Sequence, residues 1–550
     1  MMMHAPTSLG DQAPLGEQPG LLRGRRGMVI AGLLSLAVAL FCLTLYLQTA
    51  AQLIAFPYEI DYGEGIVWQQ LRLIADGHGY GRIDQFPAIV FHYPPFYHVT
   101  AAALARLGGW DQLAAARALS VGCSLIAGAV VAAIAARLAR LEVQRDAGWI
   151  CGIWAALIAL SFRSVLMWSS VMRVDMLFVA LSLAGFYAGM RALTQPRAVY
   201  AAAVLFVAAI FTKQTAIAAP AAVFATLLYL RPALALRGIA AIVVVSLAAL
   251  IPVMVFSDGQ FFQHIIMYNV NRIDISNGLH SFKVVSGAWA YCVIALWAIQ
   301  ARLGRFLSAR GAAPRPNLRQ RLLASPSEAS FAMVLVYFGM ATLMLALVFK
   351  SGSSDNYYLE WEFLLGLLAG LALFEAAFAR RAAPQPAARR WIAGAALGYV
   401  GWLSVMMFWN FSAYYSMVTR TRSEMQALVS LVKQAEKPVI SDDMVAVLRG
   451  GKSVQWEPAI FAELAHKGVW DERPFVQMIA TGKFAFFVTE SCPGDKVLYD
   501  PRYNRAVSDA LMAAYPVQRS LGEYHLHFPK GGIPPAAEAI RSGGNCVPRR

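Results

Sequence analysis

Residues 28–57 read MVIAGLLSLAVALFCLTLYLQTAAQLIAFP, and residues 58–65 that follow read YEIDYGEG. The first stretch carries no charge over 30 residues, enough to cross a bilayer core that needs roughly 20. It is too long for a signal-peptide apolar core of about 7–15 residues, so we expect a retained membrane helix. The second stretch places Glu59, Asp61 and Glu64 within six positions directly after that helix. Like charges so close repel one another and call for a cation, a base or a task. A merely solvated acidic loop is the competing reading.

Further apolar runs lie at 113–136, 147–162, 174–192, 198–212, 214–230, 238–256, 284–301, 329–349, 359–378 and 391–410. The pattern predicts a polytopic α-helical membrane protein with about eleven transmembrane helices. Of the 550 residues 58% are hydrophobic and only 14% charged, which a soluble protein could not bury. The net charge of +15 comes from arginines clustered between apolar runs, with no basic face interleaved with aromatics, so no nucleic-acid partner is expected.

Residues 1–27, ending in Arg23, Arg25 and Arg26, are expected to be a disordered cytoplasmic N-terminus. Alternating sides from there gathers Arg137, Arg140 and Arg145, Arg191 and Arg197, Arg231 and Arg237, the run from Arg302 to Arg321, and Arg380 to Arg390 on one side. The positive-inside rule makes that side the cytoplasm. The other side receives the first outer loop (57–112), with Glu59, Asp61, Glu64, His78, His92 and His98. It also receives Asp175 and the three lysines that precede the C-terminal domain, Lys213, Lys283 and Lys350. Groups suited to acid–base and phosphate chemistry are thus predicted to collect on the outer face.

From about residue 411 to 550 the composition becomes that of a soluble region, and an odd number of spans puts it outside. Helical patterns near 421–436, 456–467, 473–481 and 503–515 alternate with strand patterns at Pro438–Ser441, Phe484–Thr489 and 517–528. This predicts a small C-terminal α/β extracytoplasmic domain. Cys492 and Cys546 would meet an oxidising compartment, where a disulfide is one of two open states. No metal-ligand spacing is present, and Gly450-Gly451-Lys452 lacks the phosphate-loop frame.

The order Asp61-Tyr62-Gly63-Glu64, His92-Tyr93-Pro94-Pro95, Asp175 opening a span, Lys213 after another, and Asn356-Tyr357 before a late span resembles the C-type glycosyltransferases. Within that group it is similar to the bacterial lipid A aminoarabinose and lipopolysaccharide-core transferases, with protein O-mannosyltransferases further away. The resemblance covers most of 28–410, although Asp-Tyr-Gly-Glu replaces the family's adjacent acidic pair. It implies transfer of a sugar from a polyprenyl-phosphate donor to an envelope lipid, glycan or protein on the periplasmic face of a bacterial inner membrane. The implied catalytic groups are Asp61, Glu64 and Asp175. Lys213, His92 and Arg173 would hold the donor phosphate, and Tyr93, Tyr97, Lys350, Asn356, Tyr357 and Glu360 would line the groove. No cofactor is required by this chemistry; some relatives use a divalent cation. A multi-span transporter or lipid flippase, and a non-catalytic membrane scaffold, are the alternatives from other classes.

Overall fold

The computed structural model describes residues 19–142, 147–269, 271–308, 317–378, 387–497, 500–538, 540–543 and 546. Arg145, Arg310, Arg315, Arg380 and Arg381, and most of the expected N-terminal tail, lie outside that set. Helix α1 runs over Pro19–Ala55, so the first helix starts before the uncharged run rather than at Met28. The first outer loop contributes α2 (Gly63–Ala75) and α3 (Phe96–Gly108). The bundle continues with α4 (Gln112–Glu142), α5 (Gly148–Leu160), a short α6 (Arg163–Trp168), α7 (Asp175–Ala192), α8 (Ala198–Ile210), α9 (Ala218–Leu230) and α10 (Pro232–Phe256). After the short α11 (Gln260–Ile265), α12 (Ile275–Ser281) and α13 (Lys283–Gly287) come α14 (Trp289–Ser308), α15 (Leu318–Ala324), α16 (Pro326–Met344), α17 (Leu359–Phe378) and α18 (Ala387–Val418).

Each of the eleven apolar runs falls on a helix, but not all are of spanning length. Among the described residues five helices are long and apolar enough to cross a bilayer, or six counting the bent pair Ile275–Gly287 and Trp289–Gly304. Gly148–Leu160, Ala198–Ile210 and Ala218–Leu230 are apolar but short. The chain is a membrane protein, and the helices sort by what surrounds them. α10 turns Val243, Val244, Leu247, Ile251 and Val255 outward, the face expected toward lipid. α17 is buried from Leu359 to Glu375 and forms the axis of the bundle. It meets α5 through small residues. A Cβ on Gly366 would lie 2.6 Å from the Ala159 Cα, and one on Gly370 2.6 Å from the Ala155 Cα. In lipid, where burial of apolar area gives no drive, such close backbone contact is what holds helices together.

One end of the bundle is tied by basic residues. Arg302 of α14 pairs with Glu375 at the end of α17, and Arg319 donates to the Tyr229 carbonyl at 2.9 Å. The opposite end carries the first outer loop and the C-terminal region.

That region begins with α19 (Arg422–Gln434), because α18 continues past residue 411 to Val418. A four-stranded mixed sheet orders β1 (Ile440–Ser441), β2 (Phe487–Thr489), β6 (Tyr524–Phe528) and β5 (Val517–Leu521), with β1 parallel to β2 and the other pairs antiparallel. A two-stranded ribbon, β3 (Lys496–Val497) with β4 (Asp500–Pro501), stands apart. Alternation across the sheet sends Phe486 and Val488 into a core with α19, and Phe487 into a second, aromatic core. The second core is made with α21 (Pro458–His466), α22 (Arg473–Ala480) and α23 (Arg505–Ala514). Cys492 and Cys546 form a disulfide.

The region is docked through α20 (Met444–Arg449), a helix that the sequence reading passed over. Arg449 grips Asp111 at 2.7 and 2.9 Å and the Pro57 carbonyl at 2.8 Å. Gly65 of α2 lies so close to Met444 that a Cβ would fall 2.6 Å from its carbonyl carbon. The first outer loop and the C-terminal region therefore pack as one layer over the end of the bundle.

Candidate active site

Glu64 explains the shape of the acidic loop. It is wholly buried and takes Arg117 from α4 through both oxygens, Nε to Oε1 at 2.7 Å and Nη2 to Oε2 at 2.5 Å. The backbone N–H groups of Met172 and Ile60 each donate to it at 2.8 Å. Arg117 spends its other donors on the carbonyls of Leu53, Phe56 and Tyr58. One desolvated ion pair thus fastens the end of α1, the start of α2, α4 and the 171–173 segment together. With its lone pairs so occupied, Glu64 holds the turn that presents Asp61.

Asp61 keeps a third of its side chain accessible, accepts from the Gly63 N–H at 3.1 Å and faces Arg173 Nη1 at 3.4 Å. Burial pushes its carboxyl up, the Arg173 guanidinium pulls it back, and Glu64 pushes it up further, leaving it above the ordinary aspartate value. Gly63 leaves room for this guanidinium, since a Cβ there would sit 1.2 Å from Arg173 Nη1 and displace it.

A second ion pair is built from three distant segments. Asp175 opens α7, where a negative charge suits the helix N-terminus. Its Oδ1 accepts from Lys213 Nζ at 2.7 Å and from Asn356 Nδ2 at 2.9 Å, while its buried Oδ2 has no hydrogen-bond partner among the described residues. Lys213 lies in the break between α8 and α9, with its ammonium 4.7 Å from the Tyr357 ring centre and 5.0 Å from that of Phe178. Burial opposes that charge, and Asp175 more than restores it.

Both cations face one cavity of about 170 Å³, beneath the C-terminal region. Its walls also carry His92, Tyr93, Lys350 and Tyr357 from the sequence reading, and Gln214, Asn269 and Asn271 besides. Burial pushes His92 down to about 3, helped by Lys350 and Arg173, so its imidazole is neutral. Burial and the charges of Lys213 and Lys467 push Lys350 down to about 8.

Not every expected residue lines the cavity: Asp61, Glu64 and Asp175 do not, and Asp61 and Asp175 meet it only through their partners Arg173 and Lys213. Tyr97 turns toward α4 and donates to the Ala116 carbonyl at 3.3 Å. Glu360, on the first turn of α17, is buried against α16 and accepts from the Tyr337 hydroxyl. Both serve packing because their helices direct them into the bundle. Asn356 stands behind Asp175 rather than in the wall. His98 and His264 are also structural, bonded to Gln70 and to the backbone of Gly81 and Phe91.

The sequence reading missed Arg117, whose signal was an arginine inside an otherwise apolar run. It also missed Glu457 and Glu463, which come from α21 and its N-cap and close the cavity from the C-terminal side. Glu457 Oε2 lies 3.8 Å from His92 Nε2, and Glu463 accepts from Ser351 at 2.7 Å. Among the described residues one group of three metal-ligating side chains clusters tightly, Cys492, His525 and Cys546, and its two sulfurs are taken by the disulfide.

A helical membrane bundle with a charged cavity at one end, roofed by an α/β region, is the class that fold and site define. Among solved structures the chain is similar to ArnT from Cupriavidus metallidurans bound to undecaprenyl phosphate, with a TM-score of 0.56 and 16% identity over 92% of this chain and 98% of that one. The apo form of the same protein gives a TM-score of 0.58 and 14% identity, covering 89% and 97%. The fold is therefore of the kind seen in ArnT. No protein-family model matches the sequence, and no curated protein does.

Proposed function

We propose that the chain is a membrane glycosyltransferase that moves a sugar from a polyprenyl-phosphate donor to an acceptor hydroxyl of an envelope lipid, glycan or protein. The observation that carries this reading is the pairing of Asp61 with Arg173 and of Asp175 with Lys213, both cations facing one cavity. The acceptor oxygen attacks the anomeric carbon as the bond from that carbon to the phosphate oxygen breaks, inverting the anomer. Asp61 takes the acceptor proton, a role suited to a carboxylate raised above its ordinary value and worth roughly 10²–10⁴ in rate. Arg173, Lys213 and Lys350 stabilise the charge that grows on the departing lipid phosphate. Asp175 and Asn356 hold Lys213 in aim, and neutral His92 contributes a hydrogen bond. The C-terminal region serves as lid and acceptor dock, with Glu457 and Glu463 reaching the substrate.

The arginine-rich end of the bundle would be cytoplasmic and the cavity periplasmic in a bacterial inner membrane. The polar side chains suffice for the displacement; a divalent cation, if used, would sit among the acidic groups at the cavity. Membranes carrying the protein are expected to transfer radiolabel from a polyprenyl-phosphate sugar to acceptor, and the effect of EDTA on turnover decides whether a divalent cation takes part. Asp61→Asn should lower it by at least about a hundredfold while the protein stays folded. Turnover surviving that change would remove Asp61 as the base, and lipid movement without product would favour a flippase.

A further inference from the structure

A second cavity of about 270 Å³ lies beside the first, and none of the reaction described above uses it. Its charged lining is Arg163, Lys283, Asp355 and Glu362; its apolar lining includes Val284, Tyr291, Leu403 and Met407. Arg163 and Lys283 stand exposed at the heads of α6 and α13, with Lys283 also hydrogen-bonded to His280. Glu362 lies deeper and is 1% exposed. One of its oxygens accepts from Ser164 at 3.0 Å, while the other is buried without a hydrogen-bond partner among the described residues. A carboxyl oxygen kept out of water and unanswered costs stability. Its place in a cavity wall marks a position where a ligand donor belongs.

The surroundings say what kind of ligand. The chain bends by 66° between Ile275–Gly287 and Trp289–Gly304, and Ala288 in that break lines the cavity. The adjoining helices α14 and α18 turn Val293, Trp402 and Trp409 outward, so an acyl chain leaving the cavity between them meets hydrocarbon. Cations at the rim suit a phosphate, and a buried carboxyl with one oxygen unpartnered below them suits a hydroxyl.

We propose that this second cavity binds an anionic amphiphile whose headgroup carries a phosphate and a hydroxyl, with Arg163 and Lys283 on the phosphate, Glu362 on the hydroxyl and the tail over Leu403 and Met407. The two cavities stand back to back across the short turn Asp355–Tyr358. Asp355 lines the second, Asn356 bonds to Asp175, and Tyr357 lines the first. A lipid held in the second cavity would therefore press on the same turn that steadies the Asp175–Lys213 pair.

Equilibrium binding of radiolabelled lysophosphatidylglycerol to the purified full-length protein in neutral detergent tests this. Lysophosphatidylcholine, which lacks the headgroup hydroxyls and the net charge, serves as comparison, and glycerol phosphate shows whether the headgroup suffices without a tail. We expect lysophosphatidylglycerol to bind at one site and the other two at least about tenfold more weakly, a gap of about 1.4 kcal/mol. Glu362→Gln and the double change Arg163→Ala with Lys283→Ala should each weaken it by about tenfold or more. Because Glu362→Gln could disturb the bundle, Met407→Trp provides a second probe. It fills the apolar part of the cavity and should abolish binding while the ligand-free protein melts as before. Unchanged affinity in Met407→Trp, equal affinity for lysophosphatidylcholine, or loss of binding in Lys213→Ala rather than in these variants would overturn the proposal.

Discussion

At the residue scale, two carboxylates three positions apart in the chain have opposite fates. Glu64 is consumed by Arg117 and two backbone donors, whereas Asp61 keeps solvent access beside Arg173. Removing one partner of a buried pair strands the other charge, at a cost of about 3–5 kcal/mol. Glu64→Ala should therefore lower the detergent-solubilised protein's melting temperature sharply, while Asp61→Asn should leave it nearly unmoved and act on turnover. A melting curve of each variant separates the two roles; equal effects would refute the division. Lys350 makes a prediction about pH. A lysine held at about 8 is charged below that value and neutral above it, so its grip on a lipid phosphate is present at lower pH and lost as pH rises through about 8. The donor KM should rise over that interval. Lys350→Arg, which stays cationic, should flatten the rise, and an unchanged profile would take Lys350 out of donor binding.

Elements are placed by close approach as much as by hydropathy. Gly366 and Gly370 sit four residues apart on α17, and each meets an alanine backbone of α5 with no room for a side chain. Gly370→Leu should separate the helices, lower expression of folded protein and reduce turnover with it; Gly339→Leu on α16, where nothing crowds the position, should be tolerated. Folded yield by size-exclusion chromatography is the readout. The apolar runs that became helices were all legible in the sequence, because hydrophobic length is a local property. Spanning length was not. α8 and α9 were read as runs of 198–212 and 214–230, but the structure breaks the chain for about seven residues around Lys213, since a buried ammonium facing Asp175 fits no continuous apolar helix. In the C-terminal region the helix and strand patterns announced α19, α21, α22, α23 and the sheet. α20 escaped because it has only six residues and its apolar face, Met444 to Leu448, reads equally well as a buried strand.

At the scale of the whole molecule, the cavity belongs to neither the bundle nor the C-terminal region alone. Bundle residues supply the cations; α21 and its N-cap supply Glu457 and Glu463; α20 and Arg449 hold the two parts in register. The disulfide supports this roof by closing a loop of 54 residues, for which loss of chain entropy predicts a stabilisation of about 4 kcal/mol. Cys492→Ser with Cys546→Ser should make the C-terminal region more sensitive to limited proteolysis while α1 to α18 stay intact, and turnover should fall with the roof. Resistance equal to the parent would show that the sheet and its two cores suffice.

Amino-acid order by itself determined that this is a membrane protein of many helices, and which loops carry arginine and which carry carboxylates and lysine; the roles proposed for Asp61, Asp175 and Lys213 came from the resemblance in motifs. Those properties depend on runs and alternation along the chain. Tertiary structure alone decided that Arg117 takes Glu64 and leaves Asp61, that Lys213 closes on Asp175, and that two carboxylates of the C-terminal region complete the wall. The reason is physical: a buried charge is settled by whichever opposite charge reaches it across the fold, and that choice is made among residues as far as several hundred positions apart.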